Sequence, residues 1–192
     1  MKKFSAKEII TPVISLFIIC LVATALLALT NGVTAPLIEK IDLENEMKSR
    51  QTVLENAVKF EDTEIELDGV KYTYAVGLDE SGKTVGYVFT TAAGGYGGDV
   101  SVMTGRDAEG KITKIEILAC NDETPGLGQN SKTPKFKDQY SGLEGEIEVI
   151  KNAQPVGSQI QAITSATITS KAVTSAVNQT LDIYNAIAGG EK

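Results

Sequence analysis

The sequence predicts an α+β fold in which one transmembrane helix at the amino terminus precedes a meandering β-sheet domain framed by helices. Three observations predict this fold. They are an uncharged apolar segment over residues 9–30, a two-residue hydrophobic period that begins at Glu61, and a helical apolar stripe over residues 170–188. Consecutive strands with helices before and after them are typical of an α+β domain rather than a doubly wound one.

Composition and charge exclude several classes of function. Of the 192 residues, 42% are hydrophobic and 22% charged, which is ordinary for a folded chain. Lys and Arg total 18 against 25 Asp and Glu, a net charge of −7, so no nucleic acid partner is expected, because neutralising phosphates requires surplus cations. The chain has no histidine, which excludes Ser-His-Asp chemistry and imidazole zinc sites. No metal site is predicted.

The amino-terminal segment is predicted to anchor the chain in the cell membrane as a single pass. Residues 1–8 carry three lysines, and residues 9–30 contain no charged side chain. About 20 apolar residues span a bilayer core of roughly 30 Å. The lysines favour a cytoplasmic amino terminus, which makes residues 31–192 extracytoplasmic. The alternative is a signal peptide cleaved near Ala23-Thr24-Ala25, but the apolar run is longer than in secretory signals and continues past that point.

Residues 31–60 are predicted to form an amphipathic stalk helix that packs on the following domain, residues 61–192. We expect Asn31-Gly32 to end the membrane helix, and Thr34 with Pro36 to begin the stalk, Pro36–Lys59. Apolar residues recur along this segment at helical spacing among many charged ones.

The period-two region predicts strands joined by tight turns. The predicted strands are Val70–Val76, Val85–Thr91, Val100–Arg106, Ile112–Ala119, Ile147–Ile150 and Ile160–Ile163. Residues 79–83 and 107–110 are expected to be hairpin turns. Thr133–Tyr140 is predicted to be a short helix and Ser170–Ala188 the final amphipathic one.

Two loops have unusual composition. Residues 93–98 contain four glycines, which permit close approach of the backbone to a ligand, and Tyr96 could stack on a planar ring. The alternative is an ordinary loop. In Thr124-Pro125-Gly126-Leu127, Pro and Gly suit the centre of a type II turn. The turn does not explain Leu127, an apolar residue where solvent exposure is expected. Its side chain could either enter the core or press on a ligand.

A third segment, Ile163–Ser170, is rich in hydroxyl residues and runs directly into the predicted final helix. Thr167, Thr169 and Ser170 would lie near free backbone N–H groups and the positive end of the helix dipole, and Lys171 adds a cation. This arrangement suits a phosphate, although the same residues also make ordinary helix caps.

These three segments together resemble those of FMN-binding-domain proteins. Ala162–Ser170 resembles the flavinylation signature S/T-G-A-T-x-T, Glu123–Gly128 matches a second segment of that family, and Gly95–Gly98 a third. With the amino-terminal anchor, their order resembles the G subunits of Rnf electron-transport complexes over nearly the whole chain. Ser165 stands where the family usually has Gly, and Gln161 where it often has Asp. If that Gly requires a positive φ, Ser165 is strained.

The resemblance implies a cofactor and a site. A separate Mg²⁺-dependent flavin transferase would use FAD to esterify Thr169 to the phosphate of FMN. The flavin ring would rest against the turn at Gly126 and Leu127, with Thr124 as a polar contact. Tyr96, Thr167, Ser170 and Lys171 complete the implied cofactor-binding residues, and no catalytic residue is implied.

The resemblance also implies a function. The chain would be a one-electron relay in a membrane complex that couples ferredoxin oxidation and NAD⁺ reduction to Na⁺ or H⁺ transport, with the other subunits as partners. It would be part of a translocase without being catalytic alone. One alternative is the C subunit of a Na⁺-translocating NADH:quinone oxidoreductase, which is typically a longer chain. Another is an anchored, non-redox scaffold that has lost its flavin.

Overall fold

The chain folds into two compact units that divide between Glu46 and Met47. The computed structural model describes residues 6–67 and 69–190. Helix α1, Ala6–Val53, supplies the first unit and continues into the second. It is the one helix in the described part of the chain that is long and apolar enough to cross a membrane, with a mean hydropathy of 2.7 in its most apolar window. These properties fit the predicted membrane anchor.

The predicted break at Asn31-Gly32 is wrong, because α1 continues through it. Thr34 caps no new helix, since its hydroxyl donates to the carbonyl of Thr30 at 3.0 Å, four residues earlier in α1. Pro36 also lies inside the helix. The unfavourable contributions of Asn and Gly, up to about 1 kcal/mol each, are small beside the cooperative hydrogen bonding of a long helix. The boundaries proposed at residues 8, 30 and 60 remain predictions.

The carboxyl end of α1 lies at Val53, six residues before the predicted end at Lys59. The chain turns there because Leu54 and Ala57 are buried among strands of the second unit. The Gln51 side chain stabilises this turn, since its Nε2 donates to the carbonyls of Glu55 at 3.1 Å and Ala57 at 3.0 Å.

The main sheet confirms the predicted α+β class and the meander. Its strands are β1 (Lys59–Leu67), β2 (Val70–Leu78), β3 (Thr84–Gly94), β4 (Asp99–Asp107) and β5 (Ile112–Ala119). They are antiparallel and lie in the order β1-β2-β3-β4-β5. For β1 the sequence predicts only a change to a two-residue period, without strand bounds. Each of the other four strands contains one of the predicted strands.

The remaining elements follow the sheet. They are a 3₁₀ helix (Gly128–Lys132), α2 (Pro134–Lys137), a second 3₁₀ helix (Asp138–Tyr140), β6 (Glu148–Ile150), β7 (Gln159–Gln161) and α3 (Thr167–Gly190). β6 and β7 form a separate parallel pair. The helix predicted over Thr133–Tyr140 is therefore two short turns. α3 begins three residues earlier than predicted, and this shift determines the position of Thr169.

Two apolar cores lie on the two sides of the sheet. Val100 and Val102 of β4 belong to the larger core, whereas Met103, the next residue, belongs to the smaller one. This alternation follows from the period of a strand. In the larger core α3 packs on β3 and β4, and Val173, Ala176 and Val177 are buried there. The core fixes the amino-terminal turn of α3 relative to the loops that follow β3 and β5.

Candidate functional site: a buried threonine beneath a cavity

The turn after β5 has the geometry that its Pro-Gly sequence predicts. The amide of Leu127 donates to the carbonyl of Thr124 at 3.1 Å, and Gly126 has φ +75°. A positive φ at the third residue, following proline, is characteristic of a type II turn. Leu127 is 39% exposed, so its side chain is not part of the core.

The start of α3 is organised by Ser170. Its hydroxyl donates to the carbonyl of Ala166 at 2.9 Å and accepts from the amide of Ile163, also at 2.9 Å. The Ser170 amide bonds to the Ala166 carbonyl at 3.0 Å and begins the intrahelical ladder. The N–H groups of Thr167, Ile168 and Thr169 therefore belong to the first turn, where a helix has no acceptors of its own.

Ser165 has φ +62° and lies in the left-handed region. This is the position at which FMN-binding-domain proteins usually have glycine. A residue with a Cβ is unfavourable there by roughly 1–2 kcal/mol. Ser165 thus has the positive φ under which the sequence analysis expects strain.

The turn after β5 and the start of α3 enclose a cavity of about 450 Å³, which we call the Thr169 cavity. Its wall residues come from three segments of the chain that are distant in sequence. The lining residues are Tyr96, Glu123, Thr124, Leu127, Gly128, Ser165, Ala166, Thr167, Ile168 and Thr169. Tyr96, Leu127 and Ile168 give it an exposed apolar surface. Glu123, Gly128, Ala166 and Thr169 are buried and form its floor.

A carboxylate and a hydroxyl meet in this floor. The Thr169 hydroxyl donates to Oε2 of Glu123 at 2.5 Å, and the two residues are 1% and 2% exposed. Oε1 of Glu123 accepts from the amides of Tyr96 at 2.6 Å and Gly97 at 3.1 Å. Desolvation raises the pKa of Glu123, but the hydrogen bonds from Thr169, Gly97 and Tyr96 outweigh it, so the pKa lies below its ordinary value. The charged form is therefore favoured.

Glycines make room for this pair. A Cβ at Gly95 would collide with Oε1 of Glu123, and a Cβ at Gly128 would collide with both Oε2 of Glu123 and the Thr169 hydroxyl. In the loop after β3, Gly95 therefore allows the backbone to approach Glu123 closely, whereas a Cβ at Gly97 or Gly98 would meet Asp122. Contacts within the chain explain these three glycines of the loop.

The structure brings together five of the eight predicted site residues. Tyr96, Thr124, Leu127, Thr167 and Thr169 all line the cavity. Gly126 lines a neighbouring cleft of about 500 Å³ that also includes Lys135 and Gln161. Ser170 is buried below the helix start.

Lys171 is not among the residues that line the Thr169 cavity, and its contact with a phosphate remains a prediction. It is exposed on another cleft, which also includes Glu148 and Asp182. Successive residues of a helix are rotated by about 100° about its axis, so Lys171 is rotated by about 200° from Thr169 and lies on the nearly opposite face of α3.

Sequence reasoning missed Glu123 as a functional residue. The carboxylate lies 46 residues from Thr169 and 27 from Tyr96. No local pattern reports such contacts. The available signal was the position of Glu123 at the head of Glu-Thr-Pro-Gly-Leu-Gly, the segment that resembles FMN-binding-domain proteins.

Comparison with protein families matches the FMN-binding domain over residues 95–182. The matched region begins in the glycine loop and ends within α3. It therefore contains every residue that lines the Thr169 cavity.

Comparison with characterised proteins gives relatives that match most of the chain. The G subunit of the Na⁺-translocating ferredoxin:NAD⁺ oxidoreductase complex of Acetobacterium woodii is 40% identical over 185 residues, 88% of each chain. The G subunit of the ion-translocating oxidoreductase complex of Methanosarcina acetivorans is 33% identical over 190 residues, 96% of this chain and 98% of its own.

Among solved structures, the crystal structure of Shewanella oneidensis NqrC has a similar fold. The TM-score is 0.55 at 17% identity, and the match covers 70% of this chain and 73% of that one. At this identity the similarity shows the fold alone.

Proposed function

Since this chain belongs to the family of G subunits of Rnf-type ion-translocating oxidoreductase complexes, we propose that it is the membrane-anchored flavin carrier of such a complex. One FMN would be held in the Thr169 cavity by a phosphoester to Thr169. When bound, FMN supplies the electron-transfer chemistry, and the protein supplies its position and surroundings.

The observation that carries this proposal is the placement of the Thr169 hydroxyl. It lies in the floor of a cavity and in the first turn of α3, beside the N–H groups of Thr167 and Ile168. Amides at a helix start and the helix dipole favour an anion such as a phosphodiester. Of the three threonines in the segment Ile163–Ser170, Thr167 and Thr169 line the cavity and Thr164 does not.

The cavity also suits the flavin ring. Its volume of about 450 Å³ is within the range of about 300–1,000 Å³ typical of ligand pockets. Tyr96 is 72% exposed and Ile168 53%, and with Leu127 they offer an apolar surface that a planar ring would cover. Thr124 would provide a polar contact at the rim.

The proposed complex assigns the chain its partners. A flavin transferase would attach FMN, and other membrane subunits would deliver and remove electrons during ferredoxin oxidation and NAD⁺ reduction, coupled to Na⁺ or H⁺ transport. The chain itself would relay electrons without catalysing either half-reaction. A covalent bond suits a domain outside the cell, where a dissociated cofactor would be lost.

The outward orientation can be tested with an introduced thiol. Glu80 is exposed in the turn between β2 and β3. In intact cells without an outer membrane, Glu80→Cys should react with an impermeant thiol reagent. The parent chain is the control, since Cys120 is buried and Cys20 lies in the apolar segment. Labelling of Glu80→Cys only after lysis would mean that this domain faces the cytoplasm, which contradicts the proposed orientation.

Two alternatives remain distinct from this proposal. The relatives reported above are G subunits of ferredoxin:NAD⁺ or ion-translocating complexes, which favours that reading over the C subunit of an NADH:quinone reductase. The second alternative, a scaffold without flavin, is supported by Ser165 and Gln161, which depart from the residues usual in the family. It predicts that the chain never acquires the cofactor.

The experiment is expression of the full chain with and without a flavin transferase. With the transferase, the purified chain should gain the mass of one FMN less one water and give a flavin-fluorescent band on a denaturing gel. Without it, neither signal should appear. A folded chain that acquires no flavin mass in the presence of an active transferase would support the scaffold.

A further inference from the structure

Glu123 is a buried carboxylate in contact with the oxygen that the proposed function modifies. It is 2% exposed, and no lysine or arginine in the described ranges forms an ion pair with it. A buried charge without a counterion is unfavourable unless hydrogen bonds satisfy it. Here two amides and one hydroxyl supply three of them.

The direction of these hydrogen bonds distinguishes the two carboxylate oxygens. Oε1 accepts from the amides of Tyr96 and Gly97, which hold the carboxylate in place. Oε2 faces Thr169 and accepts the hydroxyl proton across 2.5 Å. The O–H bond of Thr169 is therefore already directed at a base, within the reach that general-base catalysis needs.

Formation of a phosphoester at Thr169 requires the loss of this proton. An unassisted threonine hydroxyl is a weak nucleophile, and an adjacent general base activates it. The pair lies in the lining of the Thr169 cavity together with the exposed side chains of Tyr96 and Ile168, and a flavin dinucleotide would have to enter this cavity to reach Thr169.

We propose that Glu123 is the general base for the modification of this chain, an inference that rests on the proposed function. As Oγ1 of Thr169 attacks the flavin-side phosphorus of a flavin dinucleotide, its proton passes to Oε2 of Glu123. The new O–P bond replaces the P–O bond of the pyrophosphate. AMP leaves with that electron pair, and the proton then passes from Glu123 to water. No electrons are exchanged.

The same geometry predicts a consequence for the modified chain. An esterified Thr169 has no hydroxyl proton to donate, so Glu123 loses one of the hydrogen bonds that lower its pKa and gains a neighbouring phosphodiester anion. Both changes favour the protonated carboxyl. Flavin attachment should therefore raise the pKa of Glu123.

The alternative role for Glu123 is to tie the glycine loop to α3. Glu123→Gln distinguishes the two roles, because the amide keeps the shape and can still accept from the amides of Tyr96 and Gly97, but it cannot take a proton. Asp122→Asn is the matched control, since Asp122 lies beside Gly97 and Gly98 but is exposed and has no assigned bond to Thr169.

The experiment measures the initial rate of flavin incorporation into the full, detergent-solubilised chain with excess flavin transferase, FAD and Mg²⁺. The rate is read as the added mass per folded molecule. We expect Glu123→Gln to incorporate flavin at least about 100-fold more slowly than the wild type, the usual size of a general-base contribution. Asp122→Asn should retain the wild-type rate.

A second variant keeps the test decisive if Glu123→Gln unfolds. Glu123→Ala leaves space for a small carboxylate, and added formate should then accelerate incorporation, whereas equal chloride should not. A wild-type rate in folded Glu123→Gln, or equal effects of formate and chloride on Glu123→Ala, would overturn the role of Glu123 while leaving the flavin carrier intact. A wild-type chain that takes up no flavin would overturn both.

Discussion

Two charged side chains are buried against threonines of α3, and they differ in what surrounds them. Glu123 accepts from Thr169 in the first turn of the helix. Arg106 of β4 donates from Nε to the hydroxyl of Thr180 at 2.9 Å, eleven residues further along. Its other nitrogens donate to the carbonyls of Gly110 at 2.7 Å and Val177 at 3.5 Å.

The pKa of each group is lowered, with opposite meaning. For Glu123, a lowered pKa means that the protein favours the charged carboxylate. For Arg106, desolvation lowers the pKa to about 10, which means that the protein disfavours the charged guanidinium, although it remains charged at neutral pH. Hydrogen bonds dominate in the first case and burial in the second.

The two pairs also differ in whether a cavity adjoins them. Thr169 and Glu123 line a cavity, whereas Arg106 and Thr180 line none of the cavities described above. A buried charge with a hydroxyl partner is therefore not a functional signal by itself. What distinguishes the Thr169 hydroxyl is that it also lines a cavity with space for a ligand.

The largest expected effect separates the two threonines. Thr169→Val should abolish covalent flavin, because it deletes the acceptor oxygen and keeps the β-branched shape. Thr180→Val should leave flavin content per folded molecule unchanged and lower the free energy of unfolding by about 1–3 kcal/mol, since it leaves Nε of Arg106 without an acceptor. Intact mass and thermal unfolding measure both. Flavin retained in Thr169→Val would contradict the comparison.

The acid dependence of stability should separate the two charges. Because the folded pKa of Glu123 is lowered, its stabilising contribution is present above the ordinary carboxyl pKa and is lost as the pH falls through the folded value. Before flavin attachment, Glu123→Gln should therefore lose less stability than the wild type below about pH 5. Arg106→Met should keep the wild-type acid slope, because Arg106 titrates far above this range. Equal slopes in Glu123→Gln and wild type would contradict the assigned hydrogen bonds.

A smaller effect is expected at Leu127. Leu127→Ala should shift the fluorescence or reduction potential of the bound flavin and change the stability of the flavin-free chain by less than about 1 kcal/mol, since the side chain is already 39% exposed. Val156→Ala, at another exposed apolar residue, is the control and should leave the flavin unchanged. A loss of about 2–5 kcal/mol with unaltered spectra would instead indicate a core residue.

The smallest effect concerns the strained serine. Ser165→Gly should raise the stability of the flavin-free chain by up to about 1 kcal/mol, because relief of the left-handed conformation exceeds the entropy that glycine adds to the unfolded chain. Thr164→Gly, where φ is not positive, should instead be destabilising. Thermal unfolding compares them, and a destabilised Ser165→Gly would remove the case for strain.

The sheet could be predicted from sequence because its information is local. The predicted hairpin turns contain Asp79 and Asp107, whose carboxylates each accept two backbone amides across the turn. The strands on either side alternate with a period of two. The helix end predicted at Asn31-Gly32 is wrong because the local signal there is weaker than the cooperative hydrogen bonding of the long helix around it.

The site could be predicted only in part, because its essential contacts are not local. The hydroxyl residues before α3 and the Pro-Gly turn were visible as separate motifs. Their common cavity depends on α3 packing against β3 and β4, which no single motif encodes. Glu123 was therefore missed, and Lys171 was included because it is adjacent in sequence, although it lies on another cleft.

One measurement tests the central claim most directly, the localisation of flavin on the wild-type chain. Trypsin should release residues 152–171 as one peptide with six hydroxyl residues, namely Ser158, Thr164, Ser165, Thr167, Thr169 and Ser170. Fragmentation of the flavin-bearing peptide should assign the added mass of FMN less water to Thr169 alone. Assignment to Thr164 or Thr167, or an unmodified peptide from chain matured with an active flavin transferase, would contradict the account.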